Sequence, residues 1–157
     1  MCGTFVSLII KILKYIWASP NSLFGLLVGL AGLMTGGKMQ VIRGVVEFHG
    51  GFVRWLLRNS ALGKSTMAMT LGHTIIGQTA KTLEISRDHE HVHVKQYGNW
   101  GPFFVPAYLF CSLYLWCVKR DPYLDNPFEV EAYAVSDPEA YSEEDDEQQQ
   151  AYRKKDS

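Results

Sequence analysis

The sequence predicts an α+β fold in which apolar N-terminal helices precede a small antiparallel sheet and a histidine-bearing helix. Three features predict this class. Residues 1–35 are strongly apolar, residues 39–57 and 66–76 are rich in β-forming side chains, and residues 79–97 contain neither glycine nor proline. A chain of 157 residues is long enough for one domain with a modest core.

The N-terminal apolar region predicts helices that associate with a membrane. Residues 4–18 place lysines on one narrow stripe of an otherwise apolar helix, as in helices that lie in the membrane interface. We expect Pro20 to separate this helix from a second one, in which Gly25-x-x-x-Gly29 offers a small-residue face for close helix contact in lipid. Residues 1–36 are therefore predicted to be a retained, membrane-associated anchor, with a cleaved signal peptide as the alternative.

The central region predicts a small antiparallel sheet of three or four strands. Residues 39–49 are β-rich, the glycine pair at 50–51 offers a two-residue turn, and residues 52–57 would return as the second strand of a hairpin. A further β-rich stretch over residues 66–76 is interrupted by Gly72.

Two patterns typical of other binding sites are incomplete. Gly63-Lys64-Ser65-Thr66 matches the last part of a phosphate-binding loop, but Arg58 stands where that loop needs its first glycine. We therefore interpret this segment as a turn. The three cysteines form no C-x-x-C motif, so neither a disulfide framework nor a cysteine metal site is indicated.

Charge is unevenly distributed along the chain. Residues 136–157 hold eight of the sixteen acidic residues but three of the fifteen Lys and Arg residues. We expect this segment to be a disordered acidic tail, because like charges repel and few apolar groups remain to pack. The rest of the chain is mildly basic, which suits an anionic lipid surface but is too diffuse to indicate nucleic acid binding.

The residues that predict chemistry lie in the segment 79–97. His89-Glu90-His91-Val92-His93 has the pattern H-E-x-x-H. Residues four apart share one face of a helix, so the imidazoles of His89 and His93 can bind the same ion. Glu90 points about 100° away from His89, toward the side where a metal-bound water would lie. Zinc lowers the pKa of such a water to about 7, and Glu90 would accept its proton as the general base.

Two other interpretations of this string remain open. One is a solvent-exposed helix face with a local excess of histidine. The other is a strand, on which His89, His91 and His93 would share one face and bind a metal as an H-x-H-x-H site. The lack of turn residues between positions 79 and 97 favours a helix, since strands usually run only four to eight residues.

A later helix is expected to supply the third metal ligand. Asn126 and Pro127 are typical N-cap and first-turn residues, and they predict a helix that carries Glu129 and Glu131. Together with H-E-x-x-H, this resembles the gluzincin class of zinc metallopeptidases, in which a glutamate within a downstream E-x-x-A pattern joins the two histidines. Residues 129–132 read E-V-E-A, so the resemblance implies Glu129 as the third ligand, with Glu131 as the alternative.

The chain is also similar to a group of small predicted membrane proteins that share a minimal gluzincin arrangement. The similarity covers about residues 66–134 and rests on the strings at 89–97, 100–102, 106–108 and 125–129. It implies a zincin-like metal-binding domain over residues 37–135, preceded by the N-terminal anchor.

One position departs from the thermolysin-like pattern. Those enzymes carry an acid four residues after the ligand glutamate, where it supports a histidine, and this chain has Tyr133 there. We expect Asp88 or Asp125 to supply that support instead. Tyr97 and Tyr133 are candidate hydrogen-bond donors to a transition-state oxyanion.

Residues 100–118 carry no charge and are formally a candidate membrane span. A straight helix of that length extends about 28 Å. Residues 119–128 would then return through lipid nearly taut, with unsatisfied backbone groups, before Glu129 could reach the ion. We therefore expect a shorter helix that packs against the histidine helix or lies in the interface.

These observations together predict a membrane-associated zinc metallopeptidase. Zn²⁺ would be held by His89, His93 and Glu129, with Glu90 as the catalytic base. The expected partners are membrane lipid and an unidentified peptide or protein substrate, without nucleic acid. The alternative is a non-catalytic metal-binding membrane protein, either a pseudoenzyme or the strand-based H-x-H-x-H protein.

Overall fold

A computed structural model describes residues 2–60 and 66–137 of the chain. Residues 63–65 of the predicted turn and the predicted acidic tail beyond Asp137 lie outside these ranges. The described residues form helices and a four-stranded sheet, which confirms the α+β class. In chain order the elements are α1 (Cys2–Met34), β1 (Lys38–Ile42), β2 (Val45–His49), α2 (Gly51–Asn59), β3 (Ala68–Leu71), β4 (Thr74–Gly77), α3 (Ala80–Trp100), a 3₁₀ turn (Gly101–Phe103), α4 (Phe104–Cys117) and α5 (Pro127–Ser136).

The sheet is mixed, and the prediction of a wholly antiparallel sheet is wrong at its centre. Its strand order is β1-β2-β4-β3. The outer pairs β1–β2 and β3–β4 are antiparallel hairpins, whereas β2 and β4 run parallel, with Phe48 opposite Ile76. The helix α2 lies between the two hairpins in the chain, so the second hairpin can return with β4 parallel to β2. As a result β3 is an edge strand of the described sheet.

The first hairpin turns at Arg43 and Gly44, not at the predicted glycine pair 50–51. Both turn residues have positive φ, 51° and 80°, as a two-residue type I′ turn requires. Residues 52–57 belong to α2 and are not a strand. The spacing of the apolar residues in this segment is typical of a helix, because Val53 and Leu57 are four residues apart. Both are fully buried.

Helix α1 is continuous, so the predicted break at Pro20 is wrong. Proline has no N–H for the carbonyl four residues earlier, which here belongs to Ile16. The Ser19 hydroxyl donates to that Ile16 oxygen at 2.7 Å. This bond satisfies the carbonyl that the proline leaves open, and the helix continues to Met34.

The glycine face of α1 packs against the sheet of the same chain. A side chain at Gly25 would collide with Leu71, and one at Gly29 would collide with Phe48. Ala18 on the same helix is fully buried. The close approach that we predicted between helices in lipid is therefore used inside the domain, and the second half of α1 is part of its core.

The other side of α1 and the outer face of α4 expose many large apolar side chains. Two helical stretches are long and apolar enough to cross a membrane, Ser7–Met34 and Ala80–Cys117, although a soluble protein's core helix or a signal sequence meets the same criterion. Helix α4 alone has 14 residues, about 21 Å, so it matches the shorter helix expected within residues 100–118. The most exposed of these side chains include Leu8, Ile16, Leu23, Phe24, Leu27, Phe110, Tyr114 and Trp116.

Helix α3 crosses the centre of the domain and contacts both the sheet and α5. Its start matches the prediction, because Thr79 and Thr82 form a reciprocal capping box. Its end does not, since the helix continues through Gly98 to Trp100 and stops at Gly101, which has φ 55°. A side chain at Gly101 would collide with Trp17, so this residue also allows α1 to pack closely here.

Candidate metal centre

The H-E-x-x-H residues lie on α3, so the strand-based H-x-H-x-H alternative is wrong. One helical turn separates His89 from His93, and their Nε2 atoms lie 3.1 Å apart. His91 lies elsewhere on the helix, near Arg43 and Glu47, and its buried Nε2 has no hydrogen-bond partner among the described residues. Burial lowers the pKa of His91, which favours the neutral imidazole.

Helix α5 begins as predicted and brings Glu129 to the two histidines. Asn126 is fully buried, and its Oδ1 accepts the Phe128 N–H as the helix cap. The Asn126 Nδ2 donates to the Tyr108 carbonyl at 3.1 Å and to the Ser112 hydroxyl at 2.8 Å, so the cap ties α5 to α4. These bonds fix the first turn of α5, where Glu129 lies.

The three predicted ligands converge on one point. Glu129 Oε2 lies 3.0 Å from His89 Nε2, and Glu129 Oε1 lies 3.5 Å from His93 Nε2. Ligand atoms about 2.0–2.2 Å from a tetrahedral zinc lie roughly 3.3–3.6 Å apart, close to these separations. Two imidazoles and one carboxylate in this geometry could hold a metal ion.

The alternative ligand Glu131 does not join this group. Its Oε2 accepts a hydrogen bond from Gln96 Nε2 at 2.8 Å. Two residues along a helix correspond to a rotation of about 200°, so Glu129 and Glu131 lie on different faces of α5. The geometry therefore selects Glu129, as the E-x-x-A resemblance implied.

The electrostatics of the three residues favour a bound cation. Burial alone raises the pKa of Glu129, but hydrogen bonds with His89 and His93 outweigh it and lower the value to about 2. Burial opposes the charging of His93, yet Glu129 and Glu90 raise its pKa overall. Glu129 thus stays ionised, and its negative charge lies 97% buried between two ring nitrogens.

Glu90 lies beside the three ligands and is held by the edge strand. Its side chain is 5% exposed, and the Thr70 hydroxyl of β3 donates to its Oε2 at 2.6 Å. Burial raises the pKa of Glu90, and this effect exceeds the lowering by His93 and by the Thr70 hydrogen bond. A carboxylate with a raised pKa next to a cation site is suited to accept a proton.

A cavity of ≈ 930 Å³ opens beside this group. It lies between β3, α3, α4 and α5, and His89, Glu90, His93 and Glu129 all line it. Much of the remaining wall is apolar, with contributions from Met69, Leu71, Ile85, Val105 and Leu109.

The prediction that Asp88 or Asp125 supports one of the histidines is wrong. Asp88 pairs with Arg43 at 2.6 Å, and Asp125 pairs with Arg120 at 2.7 Å. Each carboxylate thus has an arginine as its ion-pair partner and not a triad histidine. The Nδ1 of His93 is instead 2.8 Å from the Oε1 of Gln96.

Three residues of the site were not predicted from the sequence. Thr70 orients Glu90, Gln96 contacts His93, and the Tyr108 hydroxyl donates to Glu129 Oε1 at 2.8 Å. Gln96 follows His93 by three residues, so helical spacing could have found it. Thr70 and Tyr108 come from other elements, and only the tertiary fold brings them to the site.

The two candidate oxyanion donors both line the cavity. Tyr97 is 2% exposed and packs its ring 4.2 Å from that of Phe104. Tyr133 lies edge-on to the His89 ring at 4.6 Å, and its hydroxyl donates to that of Tyr123 at 3.4 Å. At the position of the thermolysin-like acid, this chain therefore places an aromatic ring against the ligand histidine.

No protein-family model, curated protein or solved structure matches this chain. The triad and the cavity beside it are thus the features from which its function is inferred.

Proposed function

We propose that this protein is a membrane-associated zinc-dependent hydrolase that cleaves peptide bonds. The observation that carries the proposal is the convergence of His89, His93 and Glu129, with Glu90 held next to them at the wall of a large cavity. A structural metal site is normally closed by four protein ligands. Three ligands beside an open cavity are typical of a catalytic site.

Zinc is the metal that best suits this group of ligands. Imidazole nitrogens with one carboxylate oxygen form a borderline set that zinc prefers over calcium or magnesium, which need mainly oxygen ligands. When bound, zinc would polarise a carbonyl group and lower the pKa of water.

Glu90 is proposed as the general base. The Thr70 hydroxyl donates a hydrogen bond to Oε2 of Glu90, so we assign proton acceptance to Oε1. The raised pKa of the buried carboxyl makes it a stronger base than an exposed glutamate. The same group then donates the proton to the leaving amine.

The edge strand β3 favours an extended peptide as the substrate. Within the described sheet this strand pairs only with β4, and residues 66–71 line the cavity. The unpaired edge of a strand can form backbone hydrogen bonds with an extended chain. A peptide bound there would lie beside Glu90, because Thr70 of the same strand holds that carboxylate.

The exposed apolar surfaces of α1 and α4 favour association with lipid. Single exposed apolar residues are normal, but both helices present long contiguous apolar faces. Trp116 and Tyr114 near the C-terminal end of α4 are the residue types enriched at membrane interfaces. Because α4 also lines the cavity, we propose that the site works at a membrane surface.

Replacing Glu90 tests the catalytic proposal. We expect Glu90→Gln to keep zinc bound while hydrolysis of a peptide library falls about 10²–10⁴-fold, since the amide cannot accept the proton. Glu131→Gln, on the other face of α5 from Glu129, should leave hydrolysis unchanged. Zinc binding without any hydrolysis by the wild-type chain would support the second candidate function, a non-catalytic metal protein.

The lipid proposal is tested by changing the surface and leaving the core intact. Deleting the predicted anchor would also remove the half of α1 that packs against the sheet. We therefore choose Leu23→Gln and Leu27→Gln with Phe110→Gln, at positions 57–72% exposed. Flotation with anionic lipid vesicles should decrease in the triple variant, whereas unchanged flotation would contradict the assignment.

A further inference from the structure

Gln96 contacts both helices that carry metal ligands. It is 3% exposed and lies one turn after His93 on α3. Its Oε1 lies 2.8 Å from His93 Nδ1. Its Nε2 donates to the Phe128 carbonyl at 3.0 Å and to Glu131 Oε2 at 2.8 Å, both on α5.

These contacts fix the orientation of the Gln96 amide. An amide nitrogen only donates, and its two partners on α5 are both acceptors. The amide oxygen must therefore face His93, and because that oxygen only accepts, Nδ1 of the ring carries the hydrogen. The neutral ring then has its lone pair on Nε2, the atom that points toward His89 and Glu129.

We propose that Gln96 is the positioning residue of the metal site: it holds His93 as an Nε2 ligand and, through α5, fixes the position of Glu129. This inference rests on the zinc site proposed above. The link to α5 runs through the Phe128 carbonyl, which belongs to the residue next to Glu129. One side chain thus constrains the ligand of one helix directly and the ligand of the other through its backbone.

The role predicts a loss of metal affinity on removal of the amide. Groups that hydrogen-bond a ligand histidine typically contribute 10–100-fold to metal affinity. We expect Gln96→Leu to weaken zinc binding by about that factor. The measurement is chelator competition on the full chain in detergent, together with the unfolding free energy of the metal-free protein.

A paired exchange distinguishes positioning from a general loss of packing. Gln96→Glu keeps an acceptor for His93 but loses both donations to α5 and repels Glu131. Combining it with Glu131→Gln restores a hydrogen bond between positions 96 and 131 with the roles reversed, but not the bond to the Phe128 carbonyl. We expect the double variant to bind zinc more tightly than either Gln96→Leu or Gln96→Glu alone. Glu131→Gln alone should keep wild-type zinc affinity, since it retains an acceptor for the Gln96 amide.

The outcomes separate this inference from the proposed function. Zinc affinity of Gln96→Leu equal to wild type, with only the unfolding free energy lowered, would overturn the positioning role. A weakened zinc affinity in Gln96→Leu that the paired exchange partly restores would support it, even in a chain that cleaves no peptide. Failure of the wild-type chain to bind zinc would overturn both.

Discussion

Two buried carboxylate clusters involve side chains of α3, and they differ in how their charge is compensated. In the first cluster Glu47 is fully buried and receives two hydrogen bonds from Arg87, at 3.0 and 3.2 Å, and one from Gln40 at 2.6 Å. In the second cluster Glu90 and Glu129 are also buried, but no Lys or Arg of the described residues pairs with them.

The difference separates a cluster that is complete within the protein from one that could hold a cation. A guanidinium satisfies both oxygens of Glu47 in planar geometry, so that cluster is complete within the protein. The second cluster contains two carboxylates and two imidazoles without a cationic partner among the described residues, and three of these side chains could hold a metal ion. The same helix therefore uses Arg87 to fix itself on the sheet, whereas its two histidines belong to a group that could hold a metal ion.

The largest expected effect concerns the complete cluster. Arg87→Met leaves the Glu47 carboxylate buried without its cation, which typically costs about 3–5 kcal/mol of unfolding free energy. Denaturant unfolding measures this loss, and added zinc should not reverse it. A change below about 1 kcal/mol, the range of exposed ion pairs, would show that this pair is not the anchor of α3 on the sheet.

A smaller stability effect is expected at the second cluster, and it depends on metal. Zinc at one hundred times its dissociation constant should raise the unfolding free energy by about 2.7 kcal/mol. Glu129→Gln replaces an anionic ligand by a neutral amide and should largely remove this gain. Glu131→Gln is the matched control. If this variant lost the zinc-dependent stabilisation and Glu129→Gln kept it, Glu131 and not Glu129 would be the ligand.

The smallest effect is expected at the exposed Arg43–Asp88 pair. Its side chains are 61% and 63% exposed, and such pairs contribute about 0–1 kcal/mol. Asp88→Asn should therefore leave both zinc affinity and unfolding free energy nearly unchanged. A clear drop in zinc affinity would show that Asp88 supports the metal site after all, which its pairing with Arg43 does not predict.

The sequence predicted the site better than the scaffold because the site follows local rules. Helical spacing placed His89, Glu90 and His93 together, and the cap at Asn126 placed the first turn of α5, with Glu129 selected by resemblance. Gln96 followed the same spacing and could have been found. Thr70 and Tyr108 could not, since no short-range pattern states which strand or helix will pack against α3.

The errors in the scaffold have local physical causes. The hairpin turn was placed at a glycine pair because glycine favours positive φ, yet Arg43 accepts that conformation in the observed turn. Pro20 was expected to end a helix, but the Ser19 hydroxyl satisfies the exposed carbonyl. At Pro20 a neighbouring side chain outweighs the usual tendency of proline to end a helix. At the turn, a residue other than glycine adopts the positive φ.

The central claim is that α3 and α5 together form one metal site. Elemental analysis of the purified full chain tests it most directly, with His89→Ala and His93→Ala as site variants and His91→Ala as the matched control on the same helix. We expect about one zinc per chain in the wild type and in His91→Ala, and none in the two site variants, since each removes one of three ligands. Folded wild-type chain without zinc, or undiminished zinc content in His89→Ala, would contradict the account.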